Sequence, residues 1–169
     1  MDRFATTMIA RGPTLAPDRE TPTGSMHVLG LPSMEAATEF VEREPNNRAG
    51  VYAQHRIWAF ENLLGRTMWE FTRGADEPRF LVIALASDEE MPPASAQPVP
   101  LANCGADLRE RLMVYGALTK PEGAAVIGVA LALQAPDNEA VLPLLRNEAP
   151  VLDELPAVEV HDWEVGGRR

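Results

Sequence analysis

Cysteine is almost missing from this chain: Cys104 is its single thiol, so no internal disulfide can form. With no histidine beside it, Cys104 reads as a small buried residue or an incidental thiol. Histidine is scarce too, at His27, His55 and His161. No His-x-x-x-His, Cys-x-x-Cys or Glu-x-x-His spacing brings donors to one face, and no metal site is expected. The chain also lacks Gly-x-x-x-x-Gly-Lys and a Gly-x-Gly-x-x-Gly after a strand, so no nucleotide or other organic cofactor is expected. Basic residues are in deficit, with 15 Lys and Arg against 25 Asp and Glu, a net charge of -10. That sign opposes phosphate neutralisation and argues against nucleic acid as a partner. The longest apolar run, from Ala124 to Leu133, contains Gly128 and is about half of the roughly 20 residues that a spanning helix needs. The start, Met1-Asp2-Arg3-Phe4, has no charged segment followed by an apolar stretch, so a cytoplasmic location away from membranes is expected.

What is present is a core-forming composition, 46% apolar, punctuated by 15 prolines. Met1 to Arg11 carries Phe4, Met8 and Ile9 at helical spacing before Gly12-Pro13 and predicts the end of a helix. Ser25 to Leu29 predicts a short strand after Gly24. Ser33 is placed to cap a helix that runs past Phe40 and stops at Pro45. Val51 to Phe60, rich in Val, Tyr, Ile, Trp and Phe, predicts a long strand. Beyond a charged join at Thr72 to Pro78, the pattern predicts a strand at Phe80 to Leu85, a proline-rich loop at Met91 to Pro100 and a helix at Leu108 to Tyr115. A strand at Val126 to Leu133, a helix from Pro136-Asp137 through Leu144-Leu145 and a strand at Val158 to Trp163 follow. Pro143 is expected to kink or shorten that last helix. The aromatic stretch Trp58 to Phe71 is expected to bury between the halves or at a contact between chains.

A shift of 104 residues aligns Gly12 with Gly116, Gly24 with Gly128, Leu29 with Leu133, Pro32 with Pro136 and Glu44 with Glu148. This predicts two copies of one module, residues 1–71 and 79–165 joined by a linker at 72–78. The first copy is short of its opening strand and most of its first helix, and the unpaired strand edges this leaves predict self-association, making a homo-oligomer the expected partner state.

The motifs Gly12-Pro13, Thr23-Gly24-Ser25-Met26-His27-Val28 and Glu44-Pro45-Asn46 ahead of Ala49-Gly50-Val51-Tyr52 resemble the YciI-like (YCII-related) family. The resemblance spans about Met1 to Glu61, and in element order only, Arg79 to Glu164. It implies a ferredoxin-like α+β fold of the dimeric α+β barrel type, which two tandem copies can build within one chain. It also implies a small-molecule site with a histidine on the first helix and an aspartate at the turn after the second. Here the histidine position would precede Met1, and Glu44 stands at the aspartate position.

Three histidines remain to serve such a site. His27 shares a strand face with Ser25 and Leu29; it acts as a base if that face lines the pocket and is otherwise a half-exposed strand residue. Arg56 with Tyr52 would bind an anionic or phenolic ligand, or Arg56 and His55 form a solvated pair. Adjacent strand residues point oppositely, so His161 and Asp162 form no dyad. Glu44 and His27 are therefore the expected catalytic pair, with Ser25, Tyr52 and Arg56 as ligand-binding residues. Two functions follow: a small-molecule-binding or assembly module with an incomplete active site, or a lyase or isomerase. The second would use Glu44 and a histidine for proton transfer on an aromatic or enolisable substrate.

Overall fold

The computed structural model describes residues 4, 6–74, 77–86, 101–120, 125–148 and 157–167. In the first half β1 (Met8–Leu15) and β2 (Pro22–Leu29) lead into α1 (Met34–Arg43), α2 (Pro45–Arg48) and β3 (Ala59–Asn62). In the second, β4 (Arg79–Leu85) is followed by α3 (Ala106–Arg111), β5 (Leu112–Thr119), β6 (Val126–Gln134), α4 (Asn138–Glu148) and β7 (Ala157–Trp163). The seven strands form one antiparallel sheet in the order β2-β1-β7-β4-β6-β5-β3, which curls into a nearly closed barrel. Among the described residues no helix is long and apolar enough to cross a membrane.

Alternation along the strands divides the apolar residues between two cores. Ala10, Val28, Leu81, Met113, Ala132 and Trp163 gather inside the barrel around Met68. Phe60, Trp69 and Phe71 pack against this group half-buried, so of the aromatic stretch of the first half only Met68 is fully enclosed. On the outer face Phe80, Val82, Tyr115 and Leu131 pack beneath α3 and α4 through Leu108, Val141 and Leu145.

Several predicted elements hold. Ser33 caps α1, its hydroxyl accepting from the Ala36 N–H at 3.3 Å. Others are corrected. Of the helix expected over Met1 to Arg11, residues 1–3 and 5 lie outside the described residues, and from Met8 the chain is strand β1, because Met8, Ala10 and Gly12 alternate into the barrel. Gly12-Pro13 therefore lies inside a strand, where an added Cβ would collide with the Glu164 backbone. The helix expected over Leu108 to Tyr115 stops at Arg111, and β5 takes over; buried on both faces, β5 is apolar throughout and shows no alternation to read. The long strand expected over Val51 to Phe60 is confined to its end, since only Ala59 onward meets β5. Helix α4 continues through Pro143 to Glu148: one backbone hydrogen bond is lost while Val141 and Leu145 remain anchored in the core. The loop expected at Met91 to Pro100 lies outside the described residues, as do two residues, 75 and 76, of the join at 72–78.

The two halves share one pairing register. Gly12 faces Met26 in the β1–β2 hairpin, and Gly116 faces Ala130 in the β5–β6 hairpin, positions 104 residues apart. The irregularities coincide as well: Met8/Ala10 matches Leu112/Val114, and Thr14/Leu15 matches Leu118/Thr119. At the same spacing, α1 and α4 begin at Met34 and Asn138. Across the halves β1 pairs with β7, Thr14 opposite Trp163, as β5 pairs with β3, Leu118 opposite Phe60.

Candidate functional site

A cavity of about 480 Å³ lies where the outer face of the β1–β2 hairpin meets the end of α1, lined by Arg11, Ser25, His27, Glu44, Asn46 and Tyr52 among others. His27 alternates with the inward Met26 and Val28 and so projects outward, its ring edge-on to Phe40 of α1 at 5.4 Å between centroids. Arg11 is its partner across the hairpin. Burial pushes the His27 imidazole below its usual value; Arg11 adds to that and Glu44 opposes it. The ring is therefore neutral at pH 7. Its Nδ1 lies 3.5 Å from the Ser25 hydroxyl.

Glu44 is 6% exposed, at the junction between α1 and α2. Pro45 cannot continue α1, and the chain restarts as α2 with Glu44 as its cap. Oε2 accepts from the Asn47 N–H at 2.7 Å and Oε1 from Asn46 Nδ2 at 3.3 Å. That same amide lies 3.4 Å from the Tyr52 hydroxyl. Gly50, at φ +70, makes the reversal that carries Tyr52 back toward Glu44. The result is a buried carboxylate, a neutral imidazole, a hydroxyl and a phenol around one cavity.

Four of the five residues expected from the sequence thus line this cavity, and Arg56 does not. Arg56 forms a two-pronged ion pair with Glu159 of β7 at 2.8 and 2.9 Å and lies over the Trp58 ring at 5.0 Å. His55 is exposed. His161 contacts Glu159 at 3.1 Å while Asp162 pairs with Arg19, so the two part company as strand alternation requires. Arg11 was not among the expected residues, since reading its segment as helix hid its place opposite His27.

The equivalent place in the second half is closed. Leu131 stands at the position of His27, Tyr115 at that of Arg11 and Val129 at that of Ser25, all buried beneath α3 and α4. The Glu148 side chain lies where a Cβ on Gly105, ahead of α3, would be. A separate cavity of about 740 Å³ beside α3 is lined by Arg66, Arg73, Arg109, Glu110 and Phe71 among others.

Fold and site together define a mixed α/β protein whose sheet closes almost into a barrel and carries a polar cavity on the outer face of its β1–β2 hairpin. Residues 3–61, which include all six named cavity residues, match the family model of the YCII-related domain. No curated protein and no solved structure matches the chain.

Proposed function

We propose that the chain is a small-molecule-binding protein made of two YciI-like, ferredoxin-like copies, residues 1–71 and 79–165, with the binding site at Glu44. The order β7-β4-β6-β5 supports a complete module in the second copy, and the shared register supports an incomplete one in the first. The observation that carries the binding site is the contrast at matched positions. Polar groups surround a cavity of about 480 Å³ in the first copy, and apolar residues fill the same place in the second. Concave sites with a few converging polar groups suit small ligands. Here the donors and acceptors fit an oxygen-bearing aromatic or enolisable molecule.

Neutral His27 favours a second reading, a lyase or isomerase. His27 would take a proton from the substrate and Glu44 would exchange one with it, while Ser25 orients an oxygen. General acid–base assistance of this kind contributes about 100-fold to 10,000-fold in rate. The test is NMR titration with 4-hydroxybenzoate, chlorohydroquinone and pyruvate. Saturable shifts at Ser25, His27 and Tyr52 are expected, lost in Glu44→Gln and kept in Glu148→Gln. If none of the three probes binds, or if Glu44→Gln binds as the parent chain does, the reading is wrong. Turnover of a bound probe that falls at least 100-fold in Glu44→Gln would select the enzyme.

A further inference from the structure

The cavity of about 740 Å³ beside α3 shares none of its named lining residues with the Glu44 site. One wall is Phe71, Thr72 and Arg73, where the chain leaves the short turn Met68–Glu70 and enters the join between the halves, with Arg66 ahead of that turn. The other wall is Ala106, Arg109 and Glu110 of α3. The chain carries 25 acidic residues against 15 basic ones, yet here three guanidiniums meet one lining carboxylate.

None of the three arginines hydrogen-bonds to a carboxylate among the described residues. The acids nearby are taken by Arg111, which holds Glu77 at 2.7 Å and Asp107 at 2.9 Å. Arg73 stands 3.6 Å from Glu77 and 4.0 Å from Asp107 and Glu110, near enough for attraction and too far for hydrogen bonds. The Arg109 side chain is exposed and has no hydrogen bond or ion pair among the described residues. Arg66 donates from Nη2 to the Leu112 carbonyl at 2.9 Å and lies over the Phe71 ring at 5.9 Å, which holds it in place. Its Nε is buried without a partner among the described residues. An unmet buried donor costs free energy, and an oxyanion in the cavity would supply the acceptor.

We propose that this cavity binds a small organic oxyanion, its phosphate or carboxylate head held by Arg66, Arg73 and Arg109 and its apolar body laid against Phe71 and Ala106. Guanidinium forks match the paired oxygens of either head group and form charge-assisted hydrogen bonds with them. A volume of about 740 Å³ exceeds what a bare ion needs and suits an organic body. The net charge of -10 repels anions at long range, so retention depends on this local cluster of cations without hydrogen-bonded acids. Glu110, 75% exposed on the same wall, opposes the ligand and supplies a test of opposite sign.

Phenyl phosphate and isophthalate probe the two head groups by NMR titration of the whole chain, with neutral benzamide as the control. Saturable 1:1 binding of at least one anion is expected, with shifts at Phe71, Thr72 and Ala106, and the better of the two identifies the head group. Arg109→Gln and Arg73→Gln should each weaken it about 10-fold, and Glu110→Gln should tighten it severalfold. Raising NaCl from about 50 mM to about 500 mM should weaken it as well, because the contacts are ionic. Glu44→Gln should leave it unchanged, which separates failure here from failure of the Glu44 reading. Binding of neither anion, shifts confined to His27 and its neighbours, equal binding of benzamide, or full affinity in both folded arginine variants would overturn the proposal.

Discussion

The two ends of the barrel share a backbone register and differ in what covers the outer face. At one end α3 and α4 lie over β4, β5 and β6, and Tyr115, Val129 and Leu131 are 4% exposed or less. At the other, the matched residues on the β1–β2 hairpin are Arg11, Ser25 and His27, with Phe40 of α1 packed on the imidazole. Phe4 meets Phe40 edge to face, as Leu108 and Leu144 share the second-half core at the matched positions. A sheet face covered by two helices must be apolar, because a polar group buried without partners costs about 1–3 kcal/mol. A face covered by one helix can keep polar groups around a cavity. Strand geometry is therefore common to both ends, and helix coverage separates a packed core from a candidate binding site.

The sharpest way to break this comparison is to truncate matched residues. Leu131→Ala should cost about 2–5 kcal/mol, the range for emptying a packed core position. His27→Ala should cost under about 1 kcal/mol, and His27→Leu should be neutral or stabilising because it removes a desolvated imidazole. Urea midpoints of the three variants check this; equal losses at Leu131 and His27 would mean that both ends are closed cores.

Titration sharpens the contrast next. The His27 pKa is lowered in the native state, so the unfolded chain binds more protons once the pH falls below about 6.5. Stability should decline as pH falls through that value and level off below the depressed native one. His27→Leu should remove that part of the slope between pH 7.5 and pH 5.5.

The smallest effect belongs to the Arg56–Glu159 pair, which joins the segment ahead of β3 to β7 at the surface. Arg56 holds the Glu159 carboxyl down to about 2. That contribution is present above the ordinary value near 4.5 and is lost as pH falls toward about 2. Both side chains are more than a third exposed, so solvent screening limits the pair to about 0.2–1 kcal/mol. Arg56→Ala should lower the urea midpoint slightly at pH 7 and by less at pH 2.

Apolar runs bounded by turn residues and helices with clear caps were legible in the chain. Ser33 before α1, the apolar run of β6 and the Glu44-Pro45 break each carry a local physical signal. Where the sequence misled, the deciding term was not local. Phe4, Met8 and Ile9 satisfy helical spacing, yet Met8 alternates inward with Ala10 and Gly12 because β2 lies alongside. Leu112 to Leu118 is buried throughout and so carries no period to read. Val51 to Trp58 has the composition of a strand but no partner among the described residues, and a strand needs one. At the site, Ser25, His27, Glu44 and Tyr52 could be named from motif and alternation, whereas Arg11 needed the hairpin and Arg56 was claimed by Glu159 on a strand more than a hundred residues away.

By itself the sequence determined the acidic balance, the lone thiol, the 104-residue echo and the chemistry available at Glu44 and His27, since these depend on residue identity and short-range spacing. Tertiary structure alone decided which of those residues share a cavity and which face of each strand lies inside the barrel. It also decided that the same register encloses a core at one end and leaves polar groups around a cavity at the other. Those outcomes depend on which surfaces overlie one another, a relation between distant segments that no local pattern in the chain encodes.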